Sequence, residues 1–430
     1  MAHLEIYILV ISFVLFLLLG VPVAYSVGLS SLLTILVNIE TLPAFTTIAQ
    51  RMGTGLDSFS LLAIPFFILA GQIMNQGGIA QRLIAFAKAL VGSFPGGLAY
   101  VNIIGAMLFG AISGSAMAAV SAIGGTLGPR MEKEGYEKSY SAAVNIVSST
   151  TGLVIPPSNI LIVYSLASGG VSIAALFLAG YVPGILMGLV LMLVAAVYAK
   201  IKNYPRGDQS SFGTILRTFV DALPSLMMLV VVIGGIVAGI FTATEASGIA
   251  VLYTFVLSLI YKELSIEKIR QIAVSSVSTT AVVTLLIACS MSMSWIMAYQ
   301  NIPQAVTDGI LSVSDNPIVI LILINIILLC VGIFMDMTPA VLIFTPIFLP
   351  VVETIGIDPV HFGIIMVMNL CIGLCTPPVG SVLFVGIGVA GIPLEKVIKP
   401  LIPLFIAMIV VLMLITFFPS LTMFLPNWLG

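Results

Sequence analysis

The stretch GLVIPPSN, residues 152–159, lies in the middle of an apolar run long enough to cross a membrane. A proline has no backbone N–H and its ring clashes with the carbonyl four residues earlier, so an α-helix cannot continue unbroken through Pro156 and Pro157. Backbone that is freed at bilayer depth persists only where it is buried in protein or lines an aqueous cavity. The stretch therefore predicts a transmembrane helix that is broken near its middle.

A second stretch, GLCTPPVGS at residues 373–381, repeats the pattern and contains the other Pro-Pro pair of the chain. Ahead of each stretch, at nearly the same offset, two apolar runs meet at a short polar tip: Ser113-Gly114-Ser115 in the first half and Asp336-Met337-Thr338 in the second. A shared order of features at one offset predicts an internal repeat. Each half has an odd number of predicted spans, so we expect the second half to enter the membrane upside down relative to the first. Inverted repeats with broken helices are typical of secondary transporters.

The composition excludes a soluble globular protein. Hydrophobic residues make up 60% of the 430 residues and charged residues 7%, and the mean hydropathy is +1.24. Apolar runs of about 20 residues, the length that crosses the hydrocarbon core, recur along the chain. We predict an all-α polytopic membrane protein with an ion-transporter-type fold. The first apolar run has no Lys or Arg before it, which favours a membrane span over a secretory signal peptide.

The predicted elements divide the chain into two repeats and a polar linker. We predict a first inverted repeat over residues 1–199, a cytoplasmic linker over 200–217 and a second inverted repeat over 218–430. The first repeat contains a re-entrant hairpin at 97–129 that enters from the cytoplasm, and the second contains one at 317–352 that enters from outside. About ten spans are predicted to cross the membrane, at 5–21, 22–38, 58–76, 139–168 (broken), 171–199, 218–238, 240–260, 276–299, 360–390 (broken) and 397–420.

The distribution of charge predicts the orientation. With both termini on the periplasmic side, every one of the 15 Lys and Arg residues except Arg51 falls in a cytoplasmic segment, as the positive-inside rule requires. Two short helices, near 79–93 and 302–314, are predicted to lie at the membrane interface, against lipid. The four cysteines lie in apolar segments with no nearby His, so no transition-metal site is predicted. A net charge of −2 gives no indication of a nucleic-acid partner.

The two tips and the two breaks offer carbonyl, hydroxyl and carboxylate oxygens, the ligands that a hard cation such as Na⁺ prefers. We therefore predict two or more bound Na⁺ ions, one site in each half. Asp336 is the only acid at the tips, and an intramembrane carboxylate favours a functional role over a merely solvated one. The candidate Na⁺ ligands are Ser113, Ser115, Gly152, Leu153 and Ser158 in the first half, and Asp336, Thr338, Gly373, Leu374 and Thr376 in the second.

No Lys or Arg lies within the predicted core spans. An anionic substrate would then be held by hydroxyls, by the N-termini of the half-helices that follow the breaks, and by the bound cations themselves. The candidate substrate-binding residues are Ser115, Ser158, Asn159, Thr338, Gly380 and Ser381.

Together, the tips and the breaks resemble those of the large membrane subunit, of DctM or SiaM type, of tripartite ATP-independent periplasmic (TRAP) transporters, and the resemblance covers essentially the whole chain. It implies a bacterial inner-membrane permease that takes up a small carboxylate with Na⁺, with sialic acid favoured over a C4-dicarboxylate. It also implies two partners, a periplasmic substrate-binding protein and a small four-span membrane subunit, the latter expected here as a separate chain. An elevator motion is implied, in which a transport domain moves across a scaffold.

Three other classes of protein are alternatives to this resemblance. A stand-alone Na⁺/dicarboxylate symporter or an ion antiporter of similar architecture would be active without a binding protein, and a channel is possible in principle. An intramembrane enzyme is disfavoured because Ser115 has no nearby His as a base, Asp336 is the only deep acid, and no His-Glu-x-x-His sequence is present. The sequence thus predicts a transporter that is not an enzyme.

Overall fold

The computed structural model of the chain describes residues 4–207, 210–314 and 316–429. Across these ranges the regular structure is helical, and a single isolated bridge joins Pro95 to Arg206. Eight helical stretches within the described residues are long and apolar enough to cross a membrane. The predicted all-α polytopic membrane fold is therefore confirmed.

The first half of the chain forms two long hairpin arms, a broken helix and the helices that flank them. A 3₁₀ turn at Phe59–Leu62 leads into the fourth helix. The α-helices are α1 (Leu4–Leu18), α2 (Val23–Ile35), α3 (Thr41–Leu56), α4 (Ala63–Gln76), α5 (Ile79–Val91), α6 (Gly97–Ser113), α7 (Ala116–Lys133), α8 (Lys138–Thr151), α9 (Asn159–Ala167) and α10 (Ile173–Lys202).

The second half has a related order: three helices, where the first half has four, then a short amphipathic helix, a hairpin, a broken helix, a long helix and a final short helix. Its members are α11 (Phe212–Val237), α12 (Ala243–Ile260), α13 (Ile266–Tyr299), α14 (Ile302–Val313), α15 (Pro317–Phe334), α16 (Met337–Thr354), α17 (Pro359–Gly373), α18 (Ser381–Ala390), α19 (Leu394–Phe417) and α20 (Ser420–Leu429). The hairpins α6–α7 and α15–α16 and the broken helices α8–α9 and α17–α18 occur where the sequence predicts them. The opposite orientation of the halves in a membrane stays a prediction.

Helices α3 and α20 were not predicted, and α11 begins at Phe212, inside the predicted linker 200–217. Helix α3 occupies a stretch that we expected to be an outside loop, and α20 follows the last predicted span. Both are too short or too polar to be recognised as spans, and both owe their place to packing: α3 buries Ala44 and Ile48 against the scaffold helices, and α20 packs on α10. The Arg51 guanidinium of α3 lies 5.0 Å from the centre of the Trp295 ring of α13, a distance typical of a cation–π contact.

The helices pack as two groups. In the first group α2, α3 and α4 pack around α12 and α13, and in the second group the hairpins, the broken helices, α10 and α19 pack together. The short helices α5 and α14 touch both groups, because α5 contacts α11 and α6 whereas α14 contacts α13 and α16. Direct contacts between the groups include α4 with α6 and α13 with α16.

Within the second group, the second half of each broken helix packs on the hairpin of the other repeat. Helix α9, the second half of the first broken helix, packs on α16 of the second hairpin, and α18 packs on α7 of the first hairpin. The breaks consequently face each other across the centre of the molecule, where the Sγ atom of Cys375 lies 3.9 Å from Oγ1 of Thr150. Both Pro-Pro bonds, Pro156-Pro157 and Pro377-Pro378, are cis.

Candidate functional site

A cavity of about 260 Å³ lies where the two hairpin tips meet the two breaks. Its walls also include residues of α4 and α13 from the first helix group, so it sits at the boundary between the groups. Among the described residues that line it, Asp336 is the only charged one. Of the residues predicted from the sequence to form the site, the lining contains Ser113, Ser115, Leu153, Asn159, Asp336, Thr338, Leu374 and Ser381.

A larger cavity, of about 760 Å³, lies between α3, α4 and α13. Its lining is almost wholly apolar, with Met52, Leu56 and Phe66 among its side chains and only Ser276, Thr280 and Thr284 contributing hydroxyls. Such a surface cannot replace the hydration of an ion or an organic anion. The smaller, polar cavity is therefore the candidate site.

The first tip is a short turn between α6 and α7 that is stabilised by its backbone and its serine side chains. Gly114 ends α6 with a φ of 60°, a left-handed conformation that glycine adopts without strain. The Oγ atom of Ser113 lies 3.4 Å from both the amide nitrogen and the carbonyl oxygen of Ser115. The Ser115 hydroxyl caps α7 by accepting a hydrogen bond from the amide of Ala118 at 3.2 Å. This tip thus presents hydroxyl oxygens and no charge.

The second tip carries the charge. Asp336 caps α16 by accepting a hydrogen bond from the amide of Met337 at 2.9 Å, and its side chain is exposed into the cavity. A carboxylate at a helix N-terminus is stabilised by the unpaired amides and by the helix dipole. Because a carboxylate has acceptor sites for several partners, this single hydrogen bond leaves oxygen positions free to face a cation.

The first break places Asn159, whose amide oxygen is buried and unpaired within the described chain, among the residues that line the cavity. The hydroxyl of Ser158 donates to the carbonyl of Leu153 across the break. Asn159, which begins α9, lies so close to the first tip that a Cβ atom on Gly114 would be 2.8 Å from its Nδ2 atom. The Oδ1 atom of Asn159 is buried and has no hydrogen-bond partner among the described residues. A buried unpaired acceptor of this kind favours a ligand that is not part of the chain.

The second break also has a buried oxygen without a partner in the described ranges, here a hydroxyl. The hydroxyl of Thr376 donates to the carbonyl of Ile372 at 2.8 Å, and the amide of Leu383 donates to the carbonyl of Leu374 at 3.3 Å. The Oγ atom of Ser381, at the start of α18, is buried and finds no partner in the described part of the chain. Each half-helix after a break therefore begins with a residue that lines the cavity and carries one such buried, unpaired oxygen.

Five of the predicted site residues are not part of the lining: Gly152, Ser158, Gly373, Thr376 and Gly380. The two glycines after the first helix halves serve close packing. A Cβ atom on Gly110 would lie 2.8 Å from Cα of Gly152, and one on Gly332 would lie 3.0 Å from Cα of Gly373. In both repeats the first arm of the hairpin thus touches its own broken helix backbone to backbone.

Buried amides join the same two elements, and the sequence analysis did not single them out. In the first repeat the Ser148 hydroxyl donates to Oδ1 of Asn102 at 2.8 Å. In the second, the Asn369 amide donates to Oδ1 of Asn325 at 2.7 Å. Hydrogen bonds between membrane helices hold them in register. The signal that could have found them is a polar residue inside an apolar run at matching places in both halves.

Two polar side chains of the first helix group also face the cavity. Gln72 of α4 and Thr279 of α13 belong to its lining, and neither was predicted. A Cβ atom on Gly71 would lie 2.8 Å from the carbonyl oxygen of Ser113, so α4 approaches the first tip closely. These contacts depend on how distant parts of the chain pack, which the sequence pattern does not reveal.

The donor set fits a hard monovalent cation. Hydroxyl, amide and carboxylate oxygens converge on the cavity, and no His or Cys lies among its lining residues. Elsewhere in the described ranges, no group of three His, Cys, Asp or Glu side chains could hold a metal ion. Oxygen ligands of this kind suit Na⁺ rather than a transition metal.

Comparisons with known proteins agree with this picture. The family model for the tripartite ATP-independent periplasmic transporter, DctM component, matches residues 10–421. The chain is 56% identical to the uncharacterized protein YgiK of Salmonella typhimurium, over 97% of this chain and 96% of that protein. It is 38% identical to the C4-dicarboxylate TRAP transporter large permease DctM of Rhodobacter capsulatus, over 96% of both proteins. It is 37% identical to the sialic acid TRAP transporter large permease SiaM of Vibrio cholerae, over 95% of both.

Among solved structures, the Alcanivorax borkumensis YdaH transporter is similar, with a TM-score of 0.65. The match covers 90% of this chain and 89% of that one, at 13% sequence identity. At this identity the likeness concerns the fold alone.

Proposed function

The chain belongs to the DctM family of TRAP transporter components, and from this membership we propose that it is the large permease of a Na⁺-coupled system that takes up a small organic anion. Permeases of this family work with a small membrane component and a periplasmic binding protein. The observation that carries the proposal is the cavity shared by both hairpin tips and both breaks, with one carboxylate and no cationic side chain in its lining.

Sodium coupling follows from the charge of the cavity. A carboxylate ligand and an anionic substrate repel each other unless cations lie between them. Asp336 at the second tip, and the unpaired oxygens of Asn159 and Ser381 at the breaks, supply ligands for such cations. Bound Na⁺ would then have two roles. It would couple uptake to the Na⁺ gradient, and it would neutralise the charge of the substrate.

For the substrate we propose an acid that carries one carboxylate and several hydroxyls, such as a sialic acid. A dicarboxylate would bring a second charge into a cavity that has no cationic side chain, whereas a polyhydroxylated monoacid could bond to the amide and hydroxyl groups of Gln72, Asn159 and Thr279. The identities to the C4-dicarboxylate permease DctM, 38%, and to the sialic acid permease SiaM, 37%, are nearly equal. Overall similarity therefore does not favour either substrate, and the proposal rests on the chemistry of the lining.

An elevator motion is the conformational change that this packing favours. The backbone contact of Gly110 with Gly152 and that of Gly332 with Gly373 tie each hairpin to its own broken helix. A hairpin held in this way would move together with its broken helix rather than open by itself. Gln72 and Thr279 belong to the other helix group, so they would touch the substrate in only one position of the moving group.

We further propose that both termini are periplasmic. The charge distribution supports this orientation, since all Lys and Arg residues apart from Arg51 then lie on the cytoplasmic side. A periplasmic position of the hairpin α15–α16 would bring the cavity within reach of a docked binding protein.

Reconstitution distinguishes this proposal from a stand-alone symporter. We expect proteoliposomes with the chain and its small subunit to take up the substrate only when the loaded binding protein is added on the outside. Uptake of free substrate at the same rate, by the chain alone, would instead establish the stand-alone symporter. Liposomes without protein are the control for leakage.

A further inference from the structure

Two neighbouring cavities flank the linker at the end of the molecule that the charge distribution assigns to the cytoplasm. We call the first, of about 580 Å³, the basic cavity; Lys88, Arg130, Lys133 and Arg206 line it. We call the second, of about 680 Å³, the amphipathic cavity; Lys200 and Arg206 line one side of it and apolar side chains the other. Arg206 lines both cavities, so they lie next to each other. Neither cavity contains a residue of the transport site.

The basic cavity has an excess of positive charge. Its one acid, Glu134, is already paired with Arg130, whose Nε atom lies 3.2 Å from the carboxylate. Within the described ranges no carboxylate lies within 4.0 Å of Lys88, Lys133 or Arg206. Three elements contribute these side chains: α5, the end of α7 and the linker. Unpaired cations that converge from three elements form a binding site for an anion.

The amphipathic cavity adds an apolar wall to these cations. This wall is formed by Val91 at the end of α5, Phe94 in the turn after that helix, and Met192 and Ala196 of α10. It continues into the exposed apolar face of α10, where Leu193 has 64% of its surface exposed. The Phe94 ring, 54% exposed, stands edge-on to Tyr100 at 6.4 Å. Aromatic rings in this position are typical of the boundary between headgroups and hydrocarbon.

The backbone fixes Arg206 between the two cavities. The amide of Gly96 donates to the carbonyl of Pro205 at 3.1 Å, next to the bridge between Pro95 and Arg206. Tyr204 stacks on Tyr136 with ring centres 4.3 Å apart. The linker is thereby attached to the start of the first hairpin. Because this backbone is already ordered, a ligand that binds Arg206 has to order only that residue's side chain.

We propose that this region binds an anionic membrane phospholipid. Its phosphate lies at Arg206, with Lys200 on one side and Lys88 and Lys133 on the other, and an acyl chain lies along Val91, Phe94 and Met192. A soluble phosphate would use the cations but would leave the apolar wall exposed to water. A zwitterionic lipid would cover the wall but would gain little from the excess charge. The combination of both surfaces specifies a lipid with net negative charge.

The test is lipid binding to the full-length chain purified in a neutral detergent. Dioctanoyl-phosphatidylglycerol is titrated and bound lipid is counted by native mass spectrometry, with dioctanoyl-phosphatidylcholine and glycerol 1-phosphate as comparison ligands. We expect the anionic lipid to bind, the zwitterionic lipid to bind at least tenfold more weakly, and glycerol 1-phosphate not to compete at equal concentration. Equal binding of the two lipids, or displacement of the lipid by glycerol 1-phosphate, would overturn the proposal.

Two double variants locate the site. Lys200→Gln with Arg206→Gln, and separately Lys88→Gln with Lys133→Gln, each remove two cations. Each is expected to weaken binding of the anionic lipid by on the order of 30-fold. The second double variant leaves Arg206 and the linker unchanged, so it still tests the lipid site if the first double variant does not fold. The matched control, Lys396→Gln with Lys399→Gln, removes two exposed charges that the same charge distribution places on the same membrane face, outside both cavities, and should bind like the wild type. Unchanged binding in both test variants, or an equal loss in the control, would contradict the assignment.

Discussion

The two hairpin tips are built alike and differ in charge. Each tip ends the first arm of a hairpin, caps the second arm with its own side chain, and lines the central cavity. The first tip caps α7 with the hydroxyl of Ser115, whereas the second caps α16 with the carboxylate of Asp336. Behind the tips, the glycine contacts that hold each hairpin on its broken helix are repeated.

Features that both halves share can be assigned to folding, whereas the charge at only one tip can be assigned to the function of the site. Packing contacts that occur in both halves hold the same pair of elements together in each half. Their residues lie at matching places in the duplicated sequence. A charge that occurs in only one half breaks the symmetry of the site. If the two tips bind cations, the second should bind its cation more strongly, because it offers a charged ligand.

The largest expected effect is that of Asp336→Ala. We expect coupled uptake to fall by on the order of 100-fold, because a charged cation ligand is lost, while the protein remains folded and inserted. Asp308→Ala on the short helix α14, an exposed acid away from the cavity, is the matched control and should transport normally. Initial rates of uptake in proteoliposomes provide the measurement. A fully active Asp336→Ala protein would show that the carboxylate is merely solvated.

The shared contacts behind the tips give the next largest effect. Gly110→Ala and Gly332→Ala would each place a Cβ atom about 3 Å or less from the backbone of the broken helix, at 2.8 and 3.0 Å respectively. We expect each to lower the free energy of unfolding by about 1–3 kcal/mol, because overpacked backbone must shift. Thermal unfolding of the purified protein measures this change.

Two other helical glycines provide the control for that pair. An added Cβ atom at Gly125 or Gly388 would meet nothing within 4 Å, so alanine there should leave the stability unchanged or raise it by ~0.5–1 kcal/mol. If Gly110→Ala destabilised the protein and Gly332→Ala did not, the hairpins would be attached differently and the symmetry of the packing would be wrong.

The smallest effect is expected at the uncharged tip. Ser115→Ala removes the hydroxyl cap of α7, at a cost of ~1 kcal/mol, and one neutral oxygen from the cavity. Uptake should persist, with the Na⁺ concentration for half-maximal rate raised by about fivefold. Measuring the Na⁺ dependence of uptake checks this result. A loss as large as that of Asp336→Ala would mean that the two tips contribute equally.

The sequence predicted the parts of the fold that depend on local chemistry. A Pro-Pro pair stops a helix wherever it occurs, so both breaks could be located from the residues alone. A short polar tip between two apolar runs, found twice, was enough to place both hairpins. The charge-based orientation and the Na⁺ assignment have the same local origin, and they stay predictions.

The parts that were missed depend on contacts between distant residues. Helix α3 is neither apolar enough for a span nor polar enough for a loop, and its packing against α13 decides its conformation. The carbonyls of Gly152 and Gly373 stay predicted ligands, whereas the backbone contacts of these glycines with Gly110 and Gly332 were not predicted. Gln72 could have been noticed as an amide within an apolar helix, yet only the tertiary structure shows that it faces the cavity.

The central claim is that the cavity between the tips couples transport to sodium. Its most direct test is uptake by proteoliposomes that contain the chain, its small subunit and the loaded binding protein, with an inward Na⁺ gradient and with choline replacing Na⁺. We expect accumulation of the substrate with Na⁺ and none with choline. Undiminished accumulation with choline would contradict the claim.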